Sequence, residues 1–119
     1  MLEDRRQSVG RRGEDMAAAF LISKGFQVIE RNWHCRAGEL DLIVKRGQEI
    51  RFIEVKTRCS MTFGYPEEAV SGAKLRKLKR AVEFWLMHHP DCLVYQLDVV
   101  AIYLEKQKSA DLRWIEAIS

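Results

Sequence analysis

The sequence predicts a single α/β domain in which a mixed sheet is flanked by helices. Three observations predict it. The runs Gly38-Glu39-Leu40-Asp41-Leu42-Ile43 and Phe52-Ile53-Glu54-Val55-Lys56-Thr57 read as strands with apolar residues on both faces, as in a sheet covered on both sides. A helical stripe of Leu75, Leu78, Val82, Trp85 and Leu86 separates them from another apolar run, Leu93 to Tyr103. Consecutive strands followed by a helical crossover point to a mixed rather than a purely antiparallel sheet.

The elements follow in order. A first helix is expected from Ser8 to Lys24, with Ser8 as N-cap, Gly25 closing it, and Met16, Ala17, Phe20 and Leu21 as its apolar stripe. Gly10 and Gly13 are costly inside a helix, about 1 kcal/mol each against alanine. Three apart, they bare one face beside Glu14, where a phosphate backbone or another element of the fold can come close. Strands are expected at Phe26–Trp33, Gly38–Lys45 and Ile50–Thr57, the last two joined by a turn at Arg46-Gly47-Gln48. A loop from Cys59 to Pro66 leads to a second helical region, Pro66 to His88, broken at Ser71-Gly72. Leu93–Tyr103 reads as a buried strand, and Asp111–Ile118 as a last, edge-like strand after a polar loop through Lys106 and Lys108.

At 119 residues the chain is long enough for one domain, residues 1–119, with a real core. Its 47% hydrophobic and 31% charged residues are those of a soluble globular protein. Glu3, Asp4, Arg5 and Arg6 stand where a signal peptide would be apolar, and no run approaches the ~18 apolar residues of a membrane span. Cys35, Cys59 and Cys92, odd in number and without a Cys-x-x-Cys pair, read as reduced thiols of a cytoplasmic protein. The net charge of +3 is unevenly spread: Arg5, Arg6, Arg11 and Arg12 cluster near the start, and Lys74, Arg76, Lys77, Lys79 and Arg80 on the second helix. Such clusters are either solvated helix faces or phosphate contacts.

Alternation along the third strand puts Ile50, Phe52, Glu54 and Lys56 on one face and Ile53 and Val55 on the other. A carboxylate and an ammonium in such a strand are costly unless paired. Asp41, from the preceding strand, can reach the same place. Read by residue alone, Glu54 and Lys56 are most simply a surface ion pair, with Asp41 at a turn and Glu14 a solvated helix residue. The other reading is a hard-metal site: Asp41 and Glu54 as oxygen ligands of Mg2+, the Val55 carbonyl and waters completing the shell, and Lys56 orienting an attacking water. Asp98, between Leu97 and Val99, reads as a structural carboxylate holding a backbone or arginine group. His34, His88 and His89 have no zinc spacing with the cysteines.

Glu14 on the first helix, Asp41, and Glu54-Val55-Lys56 together resemble the PD-(D/E)xK nuclease superfamily, whose restriction-endonuclease-like core runs helix, three strands, helix, strand. More closely, the chain resembles the bacterial YraN (UPF0102) family, related to archaeal Holliday junction resolvases. The motifs that carry this are Gly10-Arg11-Arg12-Gly13-Glu14, Arg31-Asn32, Gly38 to Ile43, Phe52 to Arg58, Phe63-Gly64-Tyr65-Pro66, Lys74 with Arg76-Lys77-Leu78, and Asp98 to Ile102. They span roughly residues 8 to 103. Two departures stand out: Leu40-Asp41 replaces Pro-Asp, and Gln96-Leu97 stands where Arg-Phe is expected before the late aspartate.

The resemblance implies a catalytic set of Glu14, Asp41, Glu54 and Lys56. Asp41 and Glu54 would bind Mg2+, or Mn2+ as a substitute, with Glu14 completing the site directly or through water. Arg11, Arg12, Arg58, Lys74, Arg76 and Lys77 would bind nucleic acid. The expected function is a metal-dependent endonuclease on branched or structured DNA, with a preference for structure over base sequence. Paired cuts on a junction would call for a homodimer. The other readings are a non-cleaving nucleic-acid-binding accessory protein in repair or recombination, and an RNA-cleaving enzyme.

Overall fold

The computed structural model describes residues 5–59, 70–104 and 110–119, and for residues 5–7 the backbone alone. Along the chain run α1 (Arg5–Ser23), β1 (Gln27–Cys35), β2 (Gly38–Arg46), β3 (Glu49–Arg58), α2 (Gly72–Met87), β4 (Val94–Tyr103) and β5 (Asp111–Ile115). This is the expected order. The five strands form one sheet in sequence order, antiparallel at every junction except β3–β4, which is parallel. A parallel neighbour requires a crossover, and α2 supplies it.

The two helices cover opposite faces. Ala17, Ala18 and Leu21 of α1 pack on Leu42, Val44, Ile53, Val100 and Ile102. Leu78, Ala81, Val82 and Trp85 of α2 pack on Leu40, Ile43, Ile50, Phe52 and Leu97. Burial on both sides is why β2, β3 and β4 read as nearly unbroken apolar runs.

One helix boundary differs from expectation. The first helix begins at Arg5, so Ser8 is a helical residue and not its N-cap; arginine and glutamine continue a helix readily, and no Gly or Pro intervenes. Its far end is as expected: Gly25 has φ +93°, and Phe26 N–H to Leu21 O with Gly25 N–H to Ile22 O closes a Schellman motif. Ser71-Gly72, expected as a break, is where α2 starts, with Ser71 Oγ accepting from Lys74 N–H as the N-cap. The expected start at Pro66, the Phe63–Pro66 motif, the loop beyond Cys59, Lys106, Lys108 and the side chains of Arg5 and Arg6 lie outside the described residues.

The fourth strand is buried from Leu97 onward, whereas Leu93, Val94 and Tyr95 are exposed. The β5 strand pairs with Val99 to Tyr103, so it leaves that first stretch uncovered.

Asp98 is fully buried on the α1 face and structural, as expected. Its Oδ1 accepts from Gln96 Nε2 and Ala117 N at 2.8 Å each, and its Oδ2 from Trp114 Nε1 at 2.9 Å and Arg51 Nη1 at 3.0 Å. Arg51 also pairs with Glu49 and Glu116 and lies over the rings of Phe26 and Trp114. The basic contact that Gln96 cannot make is thus made from the neighbouring strand. Cys35, Cys59 and Cys92 are free thiols.

Candidate active site

The β2–β3 ladder runs from Arg46–Glu49 to Leu42–Ile53. One residue further on, the Val55 N–H donates to Asp41 Oδ2 at 2.8 Å, so a side-chain carboxylate takes the place of a strand carbonyl. This opening brings Asp41 and Glu54 together on the floor of a cleft of about 730 Å³, which Glu14, Glu39, Lys56, Thr57, Arg58 and Lys74 also line.

Neither carboxylate is a surface group. Asp41 is 8% exposed and Glu54 4%, which removes the surface ion pair as an account of them. Burial, and then the charge of Glu54, push the Asp41 carboxyl up to about 7; the Val55 hydrogen bond opposes this in part, and Glu14 and Glu39 add to the rise. Strand alternation places Lys56 on the face of Glu54, with its Nζ 3.5 Å from Glu54 Oε1. Lys74 reaches the same oxygen from α2, also at 3.5 Å. It sits one turn before Leu78 on the helix's buried stripe, so its side chain is directed at the sheet.

Glu14 enters the cleft from α1. Its carboxyl is raised by burial, with a hydrogen bond from Asn32 and the charge of Arg31 working the other way. Beyond it lies a polar cleft lined by Arg11, Asp15, Arg31, Asn32 and Glu39.

The expected catalytic residues Glu14, Asp41, Glu54 and Lys56 therefore all line one cleft. The three carboxylates do not converge as a metal-ligand cluster, and among the described residues no set of three or more His, Cys, Asp or Glu is so arranged. Asp41 is turned to the Val55 amide, Glu54 to two ammonium groups, and Glu14 to Asn32. Of the expected nucleic-acid contacts, Arg58 and Lys74 line this cleft and Arg11 the adjoining one, while Arg12, Arg76 and Lys77 are exposed outside both. Sequence reasoning assigned no site role to Glu39 or Asn32 and did not see Lys74 against Glu54. The Lys74-x-x-x-Leu78-x-x-x-Val82 spacing carried that last signal. Among the described residues no helix is long and apolar enough to cross a membrane.

The chain is similar to proteins of known sequence along nearly its whole length. The UPF0102 protein of Caldicellulosiruptor saccharolyticus is 40% identical over 114 residues, covering 93% of this chain and 96% of that one. The UPF0102 protein of Beutenbergia cavernae is 38% identical over 114 residues, covering 95% and 97%. Among solved structures, a Holliday junction resolvase, Hjc of Archaeoglobus fulgidus, shares the fold with a TM-score of 0.51 at 17% identity, over 87% of this chain and 75% of that one. That match is the restriction-endonuclease-like fold which the family resemblance implies. The model of "Uncharacterised protein family UPF0102" matches residues 13–102, and the chain belongs to that family.

Proposed function

We propose that this protein is a divalent-metal-dependent endonuclease that hydrolyses phosphodiester bonds in branched or structured DNA. One observation carries the reading. Two buried carboxylates, Asp41 and Glu54, line one cleft, near enough that the charge of one raises the pKa of the other. Lys56 and Lys74 answer Glu54, but Asp41 meets only a backbone amide among the described residues, and a hard cation would supply its missing counter-charge.

The donor set fits Mg2+, which keeps several waters and takes one or two carboxylates, and Mn2+ by the same chemistry. Asp41 and Glu54 would hold the cation, and Glu14, which lines the same cleft, would complete the site directly or through water. When bound, it would neutralise phosphate charge and acidify water. Lys56, steered by Glu54, would orient the attacking water and stabilise charge building on the phosphate oxygens. Arg58 and Lys74 at the cleft, with Arg11, Arg12, Arg76 and Lys77 outside it, would grip the phosphate backbone. Gly10 has no heavy atom within 4 Å of where a Cβ would stand, which leaves helix backbone open beside the cleft. Two copies acting as a homodimer would supply the paired cuts a junction requires.

The test incubates the protein with four-way junction, flap, splayed-arm, duplex and single-stranded DNA, and with matched RNA, in Mg2+, Mn2+ or chelator. Metal-dependent cutting of branched DNA is expected, and Glu54→Ala or Lys56→Ala should abolish it while the fold and binding persist. Binding without cutting on every substrate would replace this reading by the accessory one. Cutting confined to RNA would reassign the substrate.

A further inference from the structure

Asp41, Glu54 and Lys56 are carried by the sheet, but Glu14 is not. Its place at the cleft depends on how closely α1 lies on β3. The two elements meet at Gly13. A Cβ at that position would stand 1.9 Å from Thr57 Oγ1, 3.0 Å from Thr57 Cβ and 3.1 Å from Thr57 Cγ2. Rotating the Thr57 side chain moves Oγ1 away but leaves Cβ in place, so nothing larger than glycine fits unless the helix lifts. The two glycines of the Gly10-Arg11-Arg12-Gly13 motif therefore have different uses. Gly10 faces open space, whereas Gly13 seats the helix.

Thr57 directly follows Lys56. The strand turns Lys56 towards Glu54 on one face and Thr57 against α1 on the other, so a single stretch of β3 sets both distances. On the far side of Glu14 stands Asn32. It has φ +51°, between the pairs Arg31–Leu42 and Trp33–Leu40, and therefore opposite Asp41 in the sheet. Asn is among the few residues that adopt this left-handed conformation at small cost. Its side chain and Glu14 line the same polar cleft, where Asn32 works to hold the Glu14 carboxyl down.

We propose that Gly13, Thr57 and Asn32 are positioning residues for Glu14: the Gly13–Thr57 crossing fixes how deep it rides, and Asn32 fixes where its carboxylate is held. The geometric part stands without the nuclease reading; the consequence for turnover rests on it.

The test compares the wild type, Gly13→Ala and the Gly13→Ala/Thr57→Gly double variant, as isotope-labelled full chains. Nuclear Overhauser contacts between the Asn32 side-chain amide and the Glu14 methylenes report position without reference to activity. They should be present in the wild type, lost in Gly13→Ala and regained in the double variant, which removes all three crowding atoms. Kinetics on a cleaved junction should show kcat down by roughly 10²-fold in Gly13→Ala with KM unchanged, because a displacement on the scale of 1 Å suffices for that. The double variant should recover most of the loss. If Gly13→Ala does not fold, Thr57→Val presses on the same crossing more gently and should give a smaller loss of the same kind. Contacts and kcat that stay at wild-type level in whichever of these folds would overturn the proposal. So would a Gly13→Ala loss that the second substitution does not relieve. A wild type that cuts nothing would sink the nuclease reading alone, and the contacts would then decide the positioning.

Discussion

Replacing Asp41 with asparagine should stabilise the metal-free protein, and the gain should depend on pH. The substitution keeps an oxygen to accept from Val55 N–H and removes the charge that burial and Glu54 oppose. The carboxyl rises from 3.8 to about 7, about three pH units, and at about 1.4 kcal/mol per unit the cost of ionising it in the folded state reaches about 4 kcal/mol. The sign follows from linkage. The folded value lies above the unfolded one, so the wild type keeps its full stability below pH 3.8 and loses it as pH rises through about 7. Asparagine has no such slope. Urea unfolding in chelator at pH 5 and pH 8.5 should show the lead of the asparagine variant already present at the lower pH, because the unfolded carboxyl is ionised there, and widening towards the higher. At the higher pH Asp41→Asn should lead by about 1–4 kcal/mol, or roughly 4–15 °C in Tm for a domain of this size. An asparagine variant less stable than the wild type at pH 8.5 would refute the argument that Asp41 is a strained, charged group.

Three further outcomes are expected. Millimolar Mg2+ or Mn2+ should raise the wild-type Tm by mass action, and scanning Asp41→Ala under the same conditions should show no rise. Asp98→Ala should cost about 3–5 kcal/mol in urea unfolding, because it strips Arg51, Trp114, Gln96 and the Ala117 amide of a shared buried acceptor. Changing Arg76 and Lys77 together to alanine should weaken junction binding evenly across sequences and lower the salt slope of binding by about two, as read by titration at several salt concentrations.

Hydrophobic period alone made every element legible in order, because a sheet packed on both faces writes its strands as apolar runs and an amphipathic helix writes its stripe. Boundaries depended on subtler chemistry. Ser8 looks like a cap but lies within a helix that Arg5 already begins, while at the expected break Ser71 caps α2. In the cleft, Asp41, Glu54 and Lys56 stand out in the sequence as charge on apolar strands, but by residue alone they read as a surface ion pair and a turn, and the proposed site role comes from the family resemblance. The partners of these groups were not legible. That Arg51 would meet Asp98 depends on the β3–β4 register, which pairs Ile53 with Asp98 and no local pattern encodes. That Asn32 would face Asp41 depends on the β1–β2 register, shifted by the irregularity between Val28 and Glu30.

The sheet holds two centres of buried carboxylate, and their contrast bears on which one works. Asp98 has no exposed surface, and four donors, one a guanidinium, fill its oxygens. A group so saturated has nothing left to offer a ligand; its use is to tie β3, β4 and the chain after β5 together. Asp41 is nearly as buried, yet among the described residues it takes one hydrogen bond, from a backbone amide, and the charge of Glu54 works against its own. The lysines that answer Glu54 stand 3.5 Å away, farther than the donors of Asp98. Folding stability alone would favour replacing Asp41 by a neutral residue, as the asparagine prediction states. On the proposed metal-dependent reading, a charge kept where it destabilises the empty fold, on the floor of a cleft, is there for a cation that arrives later. Sites that violate the stability rules in this way are where function is expected.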